Sequence, residues 1–231
     1  MADKVTAIVL AAGKGSRMNS DIPKQYLTLL GKPVLFYSLQ AFEESNVDEI
    51  ILVTGSGEQA YCKKERVEKY QIKKVMHIVE GGAERYHSVQ RGLVAAEDAD
   101  FVLIHDGARP LVSVDVINAA ISMVKETGAC VVGMPVKDTI QLVDEEKAII
   151  STPVRSRTWL AQTPQCFAYE LALSSYNRAL ESGDSGITDD AMVVQRYGEA
   201  KIVMLEGGYE NIKVTTPEDI EVAECFLKVR K

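Results

Sequence analysis

The chain has 231 residues, 46% of them hydrophobic and 26% charged, which suits one large domain spanning 1–231 better than two. Its 33 acidic residues against 26 Lys and Arg leave a formal charge of −7, so a general nucleic-acid or membrane-surface binder is disfavoured and any cationic site must be local. Cys62, Cys130, Cys166 and Cys225 are scattered, with no C-x-x-C pair and no histidine at ligand spacing, so they read as reduced thiols.

The first strand, "VTAIVLA" (5–11), runs into "LAAGKGSRM" (10–18), a turn of two glycines carrying a lysine and an arginine. The strand is too short to span a bilayer and lacks a small-residue cleavage site, so a cytoplasmic protein is expected. The turn fails the dinucleotide fingerprint, because Met18 stands where glycine or alanine is needed and the next strand ends in "VTG" without an acidic residue. It also fails the Walker A pattern, with Met18 and Asn19 where glycine and lysine belong. What remains is a nest of backbone N–H groups with Arg17 and, in "DIPKQY", Lys24: two cations of different reach that suit a polyphosphate. The competing reading is a glycine turn with solvated lysine and arginine.

After the turn, the amphipathic "VLFYSLQAFEE" precedes the β-branched "EIILVTG". The alternation continues through "KVMHIV", "AERYHSVQRGLVAAE", "FVLIHD", "VDVINAAISMVKE" and "ACVVGMPV". Strands apolar on both faces and separated by helices predict a Rossmann-like α/β fold, a mostly parallel sheet with helices on both faces. Such sheets bind ligands beyond the carboxyl ends of their strands. There "GGAERYHS" (81–88) offers Gly81 and Gly82, against which a flat base can lie, and "HDGARP" (105–110) sets Asp106 and Arg109 at the same edge. His77 and His105 flank strands and read as partly buried structural histidines.

The alternation breaks after Pro135. "VKDTIQLVDEEKAIISTPVRSRTW" (136–159) reads as two period-two strands around the polar turn "DEEK", a protruding β-hairpin arm with Thr139, Arg155 and Arg157 that could reach a neighbouring subunit. "QTPQCF" and "ITDDA" are expected at further strand ends, offering the hydroxyls of Thr163 and Thr188. The helix dipole suffices to explain Asp189 and Asp190 in a first helical turn. Beyond the helical "AYELALSSYNRALES", "NIKVTTPED" supplies Lys213 just before a helix with Thr216 as N-cap, Pro217 at the first position and Asp219 completing a capping box.

Together, "LAAGKGSRM" with "PKQY", "GKPVL", "GGAER" with Ser88, "HDGARP", "TPQCF", "ITDDA" and "NIKVTTPED" resemble the 2-C-methyl-D-erythritol 4-phosphate cytidylyltransferase family from the first strand to the last helix. The opening element alone marks only the wider nucleotidyltransferase superfamily. The resemblance implies an enzyme of non-mevalonate isoprenoid synthesis that joins CTP to a polyol phosphate, releases pyrophosphate and uses a divalent cation, usually Mg²⁺. It implies a CTP site from Ala11, Ala12, Gly13 and Gly15, with Gly82, Ala83 and Ser88 at cytosine and ribose and Asp106 by the ribose and metal. Ala83 replaces an acidic residue found in some members, which leaves the cytosine contact to backbone amides.

Arg17, Lys24 and Lys213 become the expected catalytic clamp. The attacking phosphate monoester has a second pKa of about 6 and needs no protein base, so fixed cations meeting the charge on the α-phosphate would carry catalysis. For the acceptor the resemblance points to Arg109, Thr139, Arg155, Thr163 and Thr188, in a pocket shared across a homodimer through the arm. No nucleic-acid or membrane partner is expected. A ribitol 5-phosphate cytidylyltransferase would share this fold and chemistry. A non-catalytic nucleotide-binding regulatory module is the alternative from another class, and it would not need both Lys24 and Lys213.

Overall fold

A computed structural model describes residues 3–13, 15, 18, 22–184 and 186–230. Strand β1 (Val5–Ala11) is buried along almost its whole length. A single 3-10 turn at Lys24–Tyr26 and a two-residue ladder of β2 (Thr28–Leu29) with β3 (Lys32–Pro33) lead into helix α1 (Val34–Glu44). Next come β4 (Glu49–Thr54), all six residues of which are buried, the short α2 (Gln59–Cys62) with a wider π-type turn behind it, and β5 (Val75–Glu80). Helix α3 (Arg85–Ala95), β6 (Phe101–Asp106), α4 (Val114–Thr127) and β7 (Ala129–Pro135) continue the alternation. Two short strands, β8 (Leu142–Val143) and β9 (Ile149–Ser151), precede the ten-residue β10 (Trp159–Ala168). The chain closes with α5 (Tyr169–Ser182), α6 (Asp190–Tyr197), β11 (Val203–Glu206) and α7 (Pro217–Val229).

The main sheet has seven strands in the order β11-β7-β10-β6-β1-β4-β5, parallel except for β10, which runs against both β6 and β7. In its central rows Ile8 lies between Ile51 and Ile104. Side chains alternate across the pleat, so each strand feeds two cores. Leu35, Leu39 and Phe42 of α1 pack with Ile117, Ile121 and Val124 of α4 over one face, against Val9, Leu52 and Leu103. Val89 and Leu93 of α3, Tyr176 of α5 and Val193 of α6 cover Ile8, Val53 and Ile104 on the other.

Local chemistry sets the helix ends. Ser113 caps α4 by accepting from Val116 N–H at 3.2 Å, and Gly128 ends it with φ +75°. The capping box of Thr216 and Asp219, with Pro217 at the first position, starts α7 as the sequence predicts.

The arm forms as a hairpin whose antiparallel strands β8 and β9 are two and three residues long. The expectation about strand ends needs correction. Neither "QTPQCF" nor "ITDDA" lies at a strand end: the first is inside β10, with Thr163 where the β10–β7 register shifts between Ala161 and Gln165, and the second lies between α5 and α6 and opens the latter.

The chain runs from β1 outward to β4 and β5, then returns to place β6 on the other side of β1. That reversal opens a crevice beyond the carboxyl ends of β1 and β6.

Candidate active site

A cleft of about 910 Å³ occupies that crevice. Leu10–Gly13 at the end of β1, Pro23–Gln25, Gly55–Glu58 after β4, Glu80–Arg85 with Ser88 and Arg91, and Asp106, Ala108 and Lys213 supply its walls. Gly81 donates its N–H to Thr54 O at 2.8 Å and passes so close to β1 that a Cβ there would lie 2.4 Å from that of Ala12. Ser88 Oγ accepts from Gly82 N–H at 3.1 Å and donates to Glu84 O at 3.2 Å. Arg91 Nη1 holds the carbonyls of Glu80 and Gly81 at 3.1 and 2.8 Å. These bonds hold the segment as a narrow cradle.

Charge is organised as a chain. Asp106 is held through Oδ1 by Arg85 Nε at 3.1 Å and through Oδ2 by Lys213 Nζ at 2.8 Å, with Arg109 Nε 3.9 Å away. Burial alone would raise the Asp106 carboxyl, but Arg85, Lys213 and Arg109 overcome it and hold the group well below the usual carboxylate range. Arg85 also forks onto Asp190, Nη1 and Nη2 meeting Oδ1 and Oδ2 at 2.7 and 2.8 Å. Asp190 is fully buried and accepts a further bond from Tyr176 Oη. Burial opposes the charge of Arg85, yet Asp190 and Asp106 outweigh it and leave the guanidinium firmly protonated. A planar fork serving two carboxylates is a task lysine could not perform.

Under Asp106 lies a second set of bonds. Thr163 Oγ1 accepts the Asp106 N–H at 3.1 Å and pairs with His105 Nδ1 at 3.0 Å. His105 Nε2 faces Arg109 O at 3.2 Å, and its ring packs edge-on against Phe42. Burial pushes His105 down to about 4, so the imidazole is neutral near pH 7. Arg109 Nη1 donates to Asn211 O at 2.8 Å, tying the end of β6 to the segment that carries Lys213.

A family model described as "IspD: 2-C-methyl-D-erythritol 4-phosphate cytidylyltransferase" matches residues 5–229. The chain belongs to the IspD family. A relative from Lachnoclostridium phytofermentans bearing that enzyme name is 49% identical over 98% of this chain and 97% of its own. One from Lachnospira eligens is 51% identical over 96% and 99%. The crystal structure of 4-diphosphocytidyl-2C-methyl-D-erythritol synthase from Anaerococcus prevotii superposes with a TM-score of 0.86 at 31% identity, covering 98% of this chain and 96% of that one.

Of the positions the IspD resemblance assigns to CTP, Ala11, Ala12, Gly13, Gly82, Ala83, Ser88 and Asp106 line the cleft, together with Lys24 and Lys213 of the expected clamp. Gly15 has φ +66° and packs on the stem of Lys24, where a Cβ would approach Cγ to 3.1 Å. Arg17 lies outside the described residues.

None of the five acceptor-side residues lines the cleft. Thr139 and Arg155 are exposed on the arm and Thr188 is exposed before α6, while Thr163 and Arg109 sit beneath Asp106 with the bonds described above. His105 is fully rather than partly buried, and His77 is exposed.

The dipole account of Asp190 was insufficient, because this residue anchors a buried ion pair, while Asp189 is the N-cap of α6 and accepts from Met192 N–H at 2.8 Å. Sequence reasoning passed over Arg85, although a signal was present. An arginine at the first position of a helix faces the positive end of the dipole and calls for a carboxylate partner.

Proposed function

We propose that this chain transfers the cytidylyl group of CTP to 2-C-methyl-D-erythritol 4-phosphate, giving 4-(cytidine 5′-diphospho)-2-C-methyl-D-erythritol and pyrophosphate. The observation that carries the reading is the meeting of Ala11–Gly13, Lys24, Gly82–Ala83, Ser88, Asp106 and Lys213 in one cleft at the sheet's reversal point, in a chain of the IspD family. The backbone of 11–13 and Gly15 accommodates the triphosphate, and the cradle at 81–88 takes the cytosine and ribose. An oxygen of the acceptor's phosphate attacks the α-phosphorus, a new P–O bond forms, and the bridging P–O bond to pyrophosphate breaks. Both reactants are anions, so the barrier falls where Arg17, Lys24 and Lys213 meet charge growing on the α-phosphate.

The donor set fits a magnesium ion held largely by the nucleotide's own phosphates, since Asp106 is an ionised carboxylate lining the cleft. No cluster of three or more metal-ligating side chains occurs among the described residues. Asp106 would hold the ion, which supplies charge neutralisation and orientation of the leaving pyrophosphate.

The acceptor is read as held by Thr139 and Arg155 of a second copy together with Arg109, Thr163 and Thr188 of the first. In support, the arm exposes Leu142, Val143, Ile149, Ile150 and Val154 by 49–66% each, an apolar surface of the kind that another chain covers. The protein is read as working in the cytoplasm; among the described residues no helix is long and apolar enough to cross a membrane.

The deciding experiment measures pyrophosphate release from CTP with methylerythritol phosphate and with ribitol 5-phosphate, with and without Mg²⁺, and with ATP, GTP and UTP as donors. Turnover with CTP and methylerythritol phosphate is expected to dominate. Preference for ribitol 5-phosphate, or CTP binding without turnover, would overturn the reading.

A further inference from the structure

We propose that Tyr26 and Glu58 are positioning residues, which hold Lys24 in the cleft through a hydrogen bond joining two separate lining segments; this rests on the reading of Lys24 as an α-phosphate cation. Lys24 begins a 3-10 turn only three residues long, without a side-chain cap. So short a turn cannot fix its own position and depends on its anchors.

Among the described residues, three contacts anchor it. Gln25, 3% exposed, donates Nε2–H to Ala11 O at 2.6 Å and so ties the turn to the end of β1. The backbone of Gly15 packs on the Lys24 stem. Tyr26, on the far side, donates Oη–H to Glu58 Oε2 at 2.7 Å, and that same oxygen accepts Gly55 N–H at 3.2 Å.

The Tyr26 bond is itself braced. With the phenol proton directed at the carboxylate, the Cys62 thiol, 3.0 Å from Oη, is left as the donor to it. Burial raises the Cys62 thiol, which keeps it protonated for that role. The Arg66 guanidinium lies over the Tyr26 and Tyr61 rings at 5.0 and 4.7 Å. Tyr26 itself does not line the cleft, so its hydroxyl influences turnover through the two lining segments that its bond to Glu58 joins. Placement matters because displacing a reacting group by about 1 Å can cost on the order of a hundredfold in rate.

The test is a double-mutant cycle on pyrophosphate release with Lys24→Ala, Tyr26→Phe and the double variant, each checked for folding by circular dichroism and thermal melting. Tyr26→Phe is expected to lower kcat about tenfold with KM for CTP within about threefold, and to cost less than about twofold once Lys24 is alanine. Should Tyr26→Phe fail to fold, Glu58→Ala enters the same cycle, with Glu58→Gln, which keeps an acceptor, expected to restore most of the rate. Parental kcat in the folded Tyr26 or Glu58 variant, or a full tenfold loss persisting in the Lys24→Ala background, overturns the inference and leaves the reading of Lys24 intact. Parental kcat in Lys24→Ala overturns that reading and this inference with it.

Discussion

The cleft and the arm are built by opposite means. Around the cleft, residues distant in sequence are welded by half-buried, charge-assisted bonds: Arg85 reaches Asp106 and Asp190, and Asp106 reaches Lys213. The arm keeps its shape through neighbours alone, with Ala148 N–H on Asp144 Oδ1 at 2.8 Å and Thr152 Oγ1 on Gln141 Oε1 at 2.7 Å, while its large apolar side chains face outward. One region is preorganised within a single chain. The other has local order and an uncovered surface, the usual condition of a segment that completes itself against something else.

Four experiments bear on this contrast. Lys213→Ala should have the largest effect, lowering turnover on the order of 10²- to 10³-fold, as loss of a fixed transition-state charge does, with the far-UV spectrum unchanged. Asp190→Ala leaves Nη1 and Nη2 of Arg85 without their carboxylate, with only Nε still on Asp106, and should destabilise the fold by about 3 kcal/mol, read as a lower urea midpoint. An unchanged midpoint would show that the buried chain of charges does not hold the cleft.

The third concerns pH. His105 is pushed down to about 4 from its ordinary 6.5, so between those values the unfolded chain binds a proton that the folded one refuses. Its contribution is complete above pH 6.5 and is lost as pH falls toward 4, by about 3 kcal/mol in all. Asp106, held well below the usual carboxylate range, does not titrate in that window. His105→Asn should flatten the slope of unfolding free energy against pH there.

The smallest effect is expected from the arm. Ile150→Asp should leave the unfolding free energy within about 0.5 kcal/mol, as surface changes do, while raising KM for the acceptor about tenfold and leaving CTP affinity alone. Raised KM for CTP instead would erase the division between the two regions.

Much of the sheet was legible because its strands are apolar on both faces. "VTAIVLA" and "FVLIHD" coincide with β1 and β6, and "VLFYSLQAFEE" with α1. β10 escaped for a physical reason: Gln162, Thr163 and Gln165 are buried but engaged, with Gln162 Nε2 on Gly208 O at 2.8 Å and Gln165 Oε1 accepting Ala191 N–H at 2.7 Å. Polar residues satisfied by partners far away in the chain break the hydrophobic pattern that marks a strand. β11 is a four-residue edge strand, too short to show a period. In the cleft, glycines and cations announced themselves by type and spacing. Arg85 and Asp190 could be paired only once the fold had brought the starts of α3 and α6 together, since 105 positions separate them.

The way β7 hands over to β10 has a consequence of its own. Pro135 and Trp159 are partners in the ladder, and Val136 N–H meets Thr158 O at 3.1 Å, so the excursion between them departs and returns at a single point. Since its base is closed by the sheet, lengthening or exchanging the loop adds only a slowly growing entropic cost. The segment can therefore be swapped like a cassette while the sheet and the cleft stay as they are.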